Sequence, residues 1–243
     1  MRIQVINPNT SAHMTDAIGD AARAVANPGT EILAVNPADG PPSIEGHYDE
    51  AMAVPGMLAK VREGEQAGVD GHVIACFGDP GLMAAREVAA GPVIGIAEAA
   101  MHMTSLIAPR FAVVTTLDRT RIIAAHLAEQ YGMARHCCSI RATEIAVLEL
   151  DDPDSDARAR ITAECRAAIE QDRAEALVLG CAGMADLPRA LSDQLGVPVV
   201  DGVGAAVKLV ESLVGMGLET SKAGGLAYPV AKTYAGDLGR FSP

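Results

Sequence analysis

Cys76 and Cys181 share one setting. Each closes a short apolar run and is followed two residues later by glycine, in Ala75-Cys76-Phe77-Gly78 and Gly180-Cys181-Ala182-Gly183. In open α/β sheets ligands bind beyond the carboxyl ends of the strands. A thiol at such a point meets backbone N–H groups and a helix N-terminus, and both favour the thiolate. A single cysteine at a strand end is most often packing, since free Cys is among the most buried residue types. A symmetric pair is different, because two thiols can face each other across one cleft. That arrangement suits racemisation at a carbon next to a carbonyl, which needs a base on one face and an acid on the other. A thiol pKa near ~8.5 keeps thiolate and thiol both within reach of neutrality. The intermediate is an enolate, so donors aimed at its oxygen contribute. The amides around Phe77, Gly78, Ala182 and Gly183 are the candidates.

The loop Asn7-Pro8-Asn9-Thr10-Ser11 leaves the first apolar run and enters a helical stretch. Thr10 or Ser11 reads as the helix cap. Asn7 stands between capping and orienting a substrate amide, and Thr115 and Thr116 hold the equivalent place further on. The loop from Gly40 to Glu50, with Ile44-Glu45-Gly46 in it, is either a flap over the cleft, bringing Ile44 to the substrate, or a solvated connection. Other signals are weaker. Gly202-Val203-Gly204 lacks the third glycine of a dinucleotide fingerprint and reads as a tight turn into a helix. Glu98 and His102 stand i,i+4 without an evident third metal ligand, so a helix-surface pair is expected. Cys137, Cys138 and Cys165 lack the strand-end setting and read as structural; His72 reads as an edge residue.

The elements that must position these residues alternate along the chain. Strands are predicted at residues 3–6, 31–35, 72–75, 93–96, 111–114, 138–142, 176–179 and 197–200. Helices are predicted at 12–26, 50–65, 119–131, 153–170 and 204–216. Short, nearly all-apolar strands between Ala-rich helices argue α/β with parallel sheets covered on both faces. The halves also repeat each other: residues 2–10 match 110–118, residues 73–78 match 178–183, and Pro92-Val93-Ile94 matches Pro198-Val199-Val200. Two similar α/β domains follow, related by a pseudo-twofold. The expected division is residues 1–98 with 209–243 against 99–208.

Composition narrows the partners. A chain of 243 residues that is 49% hydrophobic excludes disordered and fibrous classes. A net charge of −12 and only 3% aromatics argue against nucleic acid and anionic membrane surfaces. No apolar run approaches the ~20 residues of a membrane helix. The five cysteines form neither a zinc pattern nor a disulfide framework, and the start of the chain lacks a signal-peptide layout. A reduced, cytoplasmic protein is expected.

Three segments carry a family resemblance: Val5-Ile6-Asn7-Pro8-Asn9-Thr10-Ser11, Ala75-Cys76-Phe77-Gly78-Asp79-Pro80-Gly81-Leu82 and Leu179-Gly180-Cys181-Ala182-Gly183-Met184. Together with residues 40–50, 92–102 and 195–201 they resemble the hydantoin racemases of the aspartate/glutamate racemase superfamily. The resemblance implies two Rossmann-like domains, an active site between them, and Cys76 and Cys181 as the catalytic pair. It implies a small-molecule cyclic ureide as substrate, no cofactor, no metal and a homo-oligomer. The related arylmalonate decarboxylases keep only the second cysteine, so the pair argues against decarboxylation. Amino-acid racemases of the superfamily have Asn-Thr where this chain has Phe77-Gly78, which favours a cyclic, less charged substrate. Allantoin racemases share the same motifs. A two-domain ligand-binding protein and a dithiol redox protein are the competing classes; the lack of an export signal and of a Cys-x-x-Cys motif count against them.

Overall fold

A computed structural model describes residues 1–151, 155–185 and 187–243. The first half builds β1 (Arg2–Ile6), α1 (Ala12–Val25), β2 (Glu31–Val35), α2 (His47–Ala67), β3 (Gly71–Ile74), α3 (Leu82–Val88), β4 (Val93–Gly95) and α4 (Ile96–Ser105). The second builds β5 (Phe111–Thr115), α5 (Arg121–Gln130), β6 (Cys137–Ala142), α6 (Ala157–Glu170), β7 (Ala176–Leu179), α7 (Pro188–Leu195), β8 (Val199–Val200) and α8 (Gly202–Gly215). Every strand pair is parallel, in the orders β2-β1-β3-β4 and β6-β5-β7-β8. The two sheets therefore carry one topology twice, as the internal repeat predicts. β1, β3, β5 and β7 are the inner strands. β3, β5 and β7 are buried along their whole length, which is why they read as unbroken apolar runs.

Helices α4 and α8 cross between the sheets. α4 leaves β4 but packs against β7 and β8, and α8 leaves β8 but packs against β3, β4 and α1. The two helices also pack on each other, and the approach is close: a side chain at Gly202 would collide with the Ile96 carbonyl. Val203, Ala205, Ala206, Val207 and Val210 bury the same helix in the largest core cluster. Since α8 is continuous through residue 208, its whole length lies on the first sheet. The residues after it return to the same half: Thr220 bonds Ala90 and Gly91, and Lys222 donates to the carbonyls of Arg86 and Glu87.

Several expectations shift. α2 begins at His47 rather than at residue 50, with Asp49 and Glu50 in its first turn. Helices α3, α4 and α7 have no counterpart among the predicted ranges. Helix α6 starts at Ala157; residues 153 and 154, where it was expected to begin, lie outside the described residues. His72 is no edge residue: it lies on inner strand β3, fully buried, with Nδ1 2.9 Å from Gln4 Oε1 and Nε2 2.8 Å from Glu65 Oε1. Two polar partners make that burial tolerable. Glu98 pairs with Arg86 at 2.5 Å rather than with His102.

Candidate active site

The cleft between the two sheets opens at the carboxyl ends of their inner strands. Cys76 follows β3 by two residues, and Cys181 follows β7 by two. Both line the same cleft, and Cys181 is near enough to act electrostatically on the Cys76 thiol. The lining continues with Asn7, Asn9, Met14, Ile44, Gly46, Glu50, Ala75, Phe77, Gly78, Thr115, Thr116, Thr120, Ile123, Val147, Gly180 and Ala182. Of the residues singled out from sequence, Gly183 alone lies off this wall; its Cα side is filled by Leu150, and a Cβ there would stand 3.7 Å from Cys181 Sγ. All five cysteines are free thiols.

The Cys76 thiol is held differently from what its sequence setting suggests. The residue keeps an open side toward the cleft, yet the packing around its sulfur is dense. Burial pushes its pKa far above the ordinary thiol range, and the nearby Cys181, Glu50 and Asp79 push the same way. Only the Gly78 N–H, donating to the sulfur, acts in the opposite direction. The helix expected to favour the thiolate starts only at Leu82, behind a left-handed Gly81. Cys76 therefore rests as a thiol. A short 3-10 turn, Ala182–Met184, begins directly after Cys181. The leading N–H groups of such a turn have no acceptor within it.

Asn7 lines the cleft, but its amide is spent inside its own loop. Nδ2 lies 2.7 Å from Asn9 Oδ1 and 3.0 Å from Thr15 Oγ1, and Oδ1 accepts from the Asn9 N–H at 3.3 Å. Ser11, not Thr10, caps α1 by accepting from the Met14 N–H. Thr115 shares a hydrogen bond with Thr120 at 2.9 Å, and the Thr116 carbonyl accepts from the Glu144 N–H. The segment carrying Ile44 spans the two halves, because Glu45 accepts from the Val147 N–H at 2.9 Å. It is thus pinned across the cleft at that point.

Residues the sequence reading passed over also line the site: Asn9, Met14, Gly46, Glu50, Ala75, Thr120, Ile123, Val147 and Gly180. Glu50 matters most, as the one carboxylate on the wall among the described residues, with burial raising its pKa and His47 partly offsetting that. The signal for it was its place at the end of the 40–50 loop, in what becomes a helix first turn. Among the described residues the wall has no Lys, Arg or His, and no cluster of three His, Cys, Asp or Glu side chains fit to hold a metal ion occurs. No described helix is long and apolar enough to cross a membrane.

Residues 3–210 match the model of the Asp/Glu/Hydantoin racemase family. The chain is 51% identical to a hydantoin racemase of Rhizobium meliloti, over 97% of this chain and 98% of that one. It is 47% identical to a hydantoin racemase of a Pseudomonas species, over 99% and 97%. It superposes on the allantoin racemase from Klebsiella pneumoniae with a TM-score of 0.98, at 58% identity, covering 100% of this chain and 99% of that one. A match across both sheets and both strand-end cysteines, with relatives spanning nearly the whole chain, means that this protein belongs to the Asp/Glu/Hydantoin racemase family.

Proposed function

We propose that the protein interconverts the D and L forms of 5-monosubstituted hydantoins, with Cys76 and Cys181 on opposite faces of the ring. The observation that carries this reading is one cleft lined by both thiols and by no cationic side chain among the described residues. An open-chain amino acid would bring a carboxylate into that cleft and find no Lys, Arg or His on its wall to pair with, whereas a hydantoin ring is neutral. One thiolate removes the C5 proton, the electron pair passes into the ring carbonyl, and the opposite thiol returns a proton to the other face. The proton leaves and returns at the same carbon, so the reaction needs no electron acceptor, and no cofactor is part of the reading. Gly78 and the turn after Cys181 supply candidate N–H donors, with Phe77, Ala182, Ile44, Thr115 and Thr116 shaping the wall.

The likeness to an allantoin racemase, at 58% identity over the full chain, favours allantoin as a specific substrate. Allantoin is itself a hydantoin with a ureido group on C5, so both readings share one chemistry. We read the cleft as lying between a unit of residues 1–98 with 209–243 and a unit of residues 99–208. We read the protein as a cytoplasmic homo-oligomer that takes a small molecule rather than nucleic acid or membrane. The test is optical rotation of enantiopure L-5-benzylhydantoin, and of (S)-allantoin, with protein and reductant. Loss of rotation without change of mass is expected; stable rotation of both overturns the reading.

A further inference from the structure

We propose that the Glu50 carboxylate selects the substrate: it accepts a ring N–H of the hydantoin and repels molecules that carry a carboxylate there. This rests on the hydantoin reading above. A glutamate in the first turn of a helix is ordinarily a solvated residue that suits the positive end of the helix dipole. Glu50 is instead drawn into the cleft, with its side chain 18% exposed. Its carboxylate occupies the space that Gly78 leaves vacant, for a side chain at position 78 would collide with Oε1. The glycine two residues after Cys76 therefore makes room for this carboxylate beside the reacting thiol, whose ionisation it opposes.

The partners of Glu50 leave part of it unused. Oε2 lies 3.3 Å from His47 Nδ1, and the His47 side chain is mostly exposed. Oε1, over Gly78, has no protein donor among the described residues. The Arg119 guanidinium lies over Gly46 and is not part of the wall. A half-buried carboxylate oxygen without a donor calls for an N–H from the ligand, and charge-assisted bonds of this kind are the stronger class. A hydantoin presents two N–H groups, one beside C5 and one between its carbonyls. A ring-opened N-carbamoyl amino acid keeps similar N–H groups but adds a carboxylate, which Glu50 would meet at short range in a poorly solvated cleft.

The experiment compares wild type, Glu50→Gln and Glu50→Ala on L-5-benzylhydantoin and on its N1-methyl and N3-methyl derivatives. Inhibition by N-carbamoyl-phenylalanine is measured alongside. Loss of a charge-assisted bond predicts a fall in kcat/KM of about 10- to 100-fold for Glu50→Gln, carried largely by KM. Methylating the contacted nitrogen costs wild type a similar factor and costs Glu50→Ala little, the coupling expected of a direct contact. N-carbamoyl-phenylalanine inhibits Glu50→Gln better than wild type. A wild type that racemises the hydantoin, with Glu50→Gln unchanged or with both N-methyl derivatives turned over as well as the parent, overturns this inference alone. The N-methyl series on wild type decides the matter even if the variants misfold. A wild type that leaves the hydantoin untouched overturns the function reading and this one together.

Discussion

A thiol that must both give and take a proton works best when its two forms are close in free energy, and burial moves Cys76 away from that balance. Its surroundings hold it as the thiol, so on the two-thiol reading it serves readily as the acid and reluctantly as the base. This cannot be read from the complete enzyme, because the two enantiomers have equal free energy and kcat/KM must be the same from either side at every pH. A variant with one thiol removes that constraint. In Cys181→Ala, where Cys76 alone can exchange the C5 proton, exchange into heavy water should climb about tenfold per pH unit from pH 6 to 8, as for a base that is mostly protonated. A plateau below pH 8 would show a depressed thiol pKa instead. That Cys76 and Cys181 would line one cleft was legible, since residue type and strand-end setting suffice to bring them out. The sign of the pKa shift was not, because its main cause is the burial of the sulfur, with Cys181, Glu50 and Asp79 adding to it, and burial is settled only by folding. For Glu50 the sequence offered only its place at the end of the 40–50 loop; that its carboxylate turns into the cleft beside Gly78 is visible only in the fold.

Between residue and domain, the element that holds Cys76 in place is the turn through Asp79, which has a left-handed φ of 45°. Its carboxylate accepts from the Ala97 and Glu98 N–H groups at 3.1 and 2.9 Å, at the start of α4, and from the Tyr131 hydroxyl at 2.7 Å, just after α5. One buried side chain thus ties the Cys76 turn to a helix that crosses to the other sheet and to a residue of the second half. Burial raises its pKa to about 7 against these three stabilising bonds. Removing the acceptor in Asp79→Ala strands three donors, and about 3–5 kcal/mol of stability should be lost. The raised folded-state value means that the native state holds this proton more tightly than the unfolded chain does. Its contribution is full below about pH 4 and is lost as pH rises through about 7. The stability advantage of wild type over Asp79→Asn should therefore shrink between pH 4 and pH 8 in chemical denaturation. A constant advantage would mean that Asp79 titrates normally. Strands were legible at this scale because each buried run is short and apolar. The crossing of α4 and α8 was not, since periodicity shows that a helix has an apolar face but not which sheet receives it; α3 and α7 are too short for periodicity to declare them.

At the scale of the whole molecule, one topology used twice places corresponding strand ends on the two sides of a single cleft, and each end carries a thiol. On the proposed mechanism a planar carbon between them is approached from one face by Cys76 and from the other by Cys181, so neither half completes an inversion alone. Cys76→Ala and Cys181→Ala should each abolish net racemisation, a loss of roughly 10²–10⁴-fold for one positioned acid–base group. Each variant should still exchange the C5 proton of one enantiomer, because its remaining thiolate can remove a proton and return it on the same face. The enantiomer exchanged by Cys76→Ala should be the mirror image of the one exchanged by Cys181→Ala, since the surviving thiols face opposite sides of the ring. The measurement is deuterium uptake at C5 from heavy water, for each variant with each pure enantiomer, followed by mass and optical rotation together. Near-normal racemisation by either variant would falsify the two-thiol mechanism and point to a single base that reaches both faces. Exchange of the same enantiomer by both variants would instead place both thiols on one side of the ring, against the opposed placement proposed here.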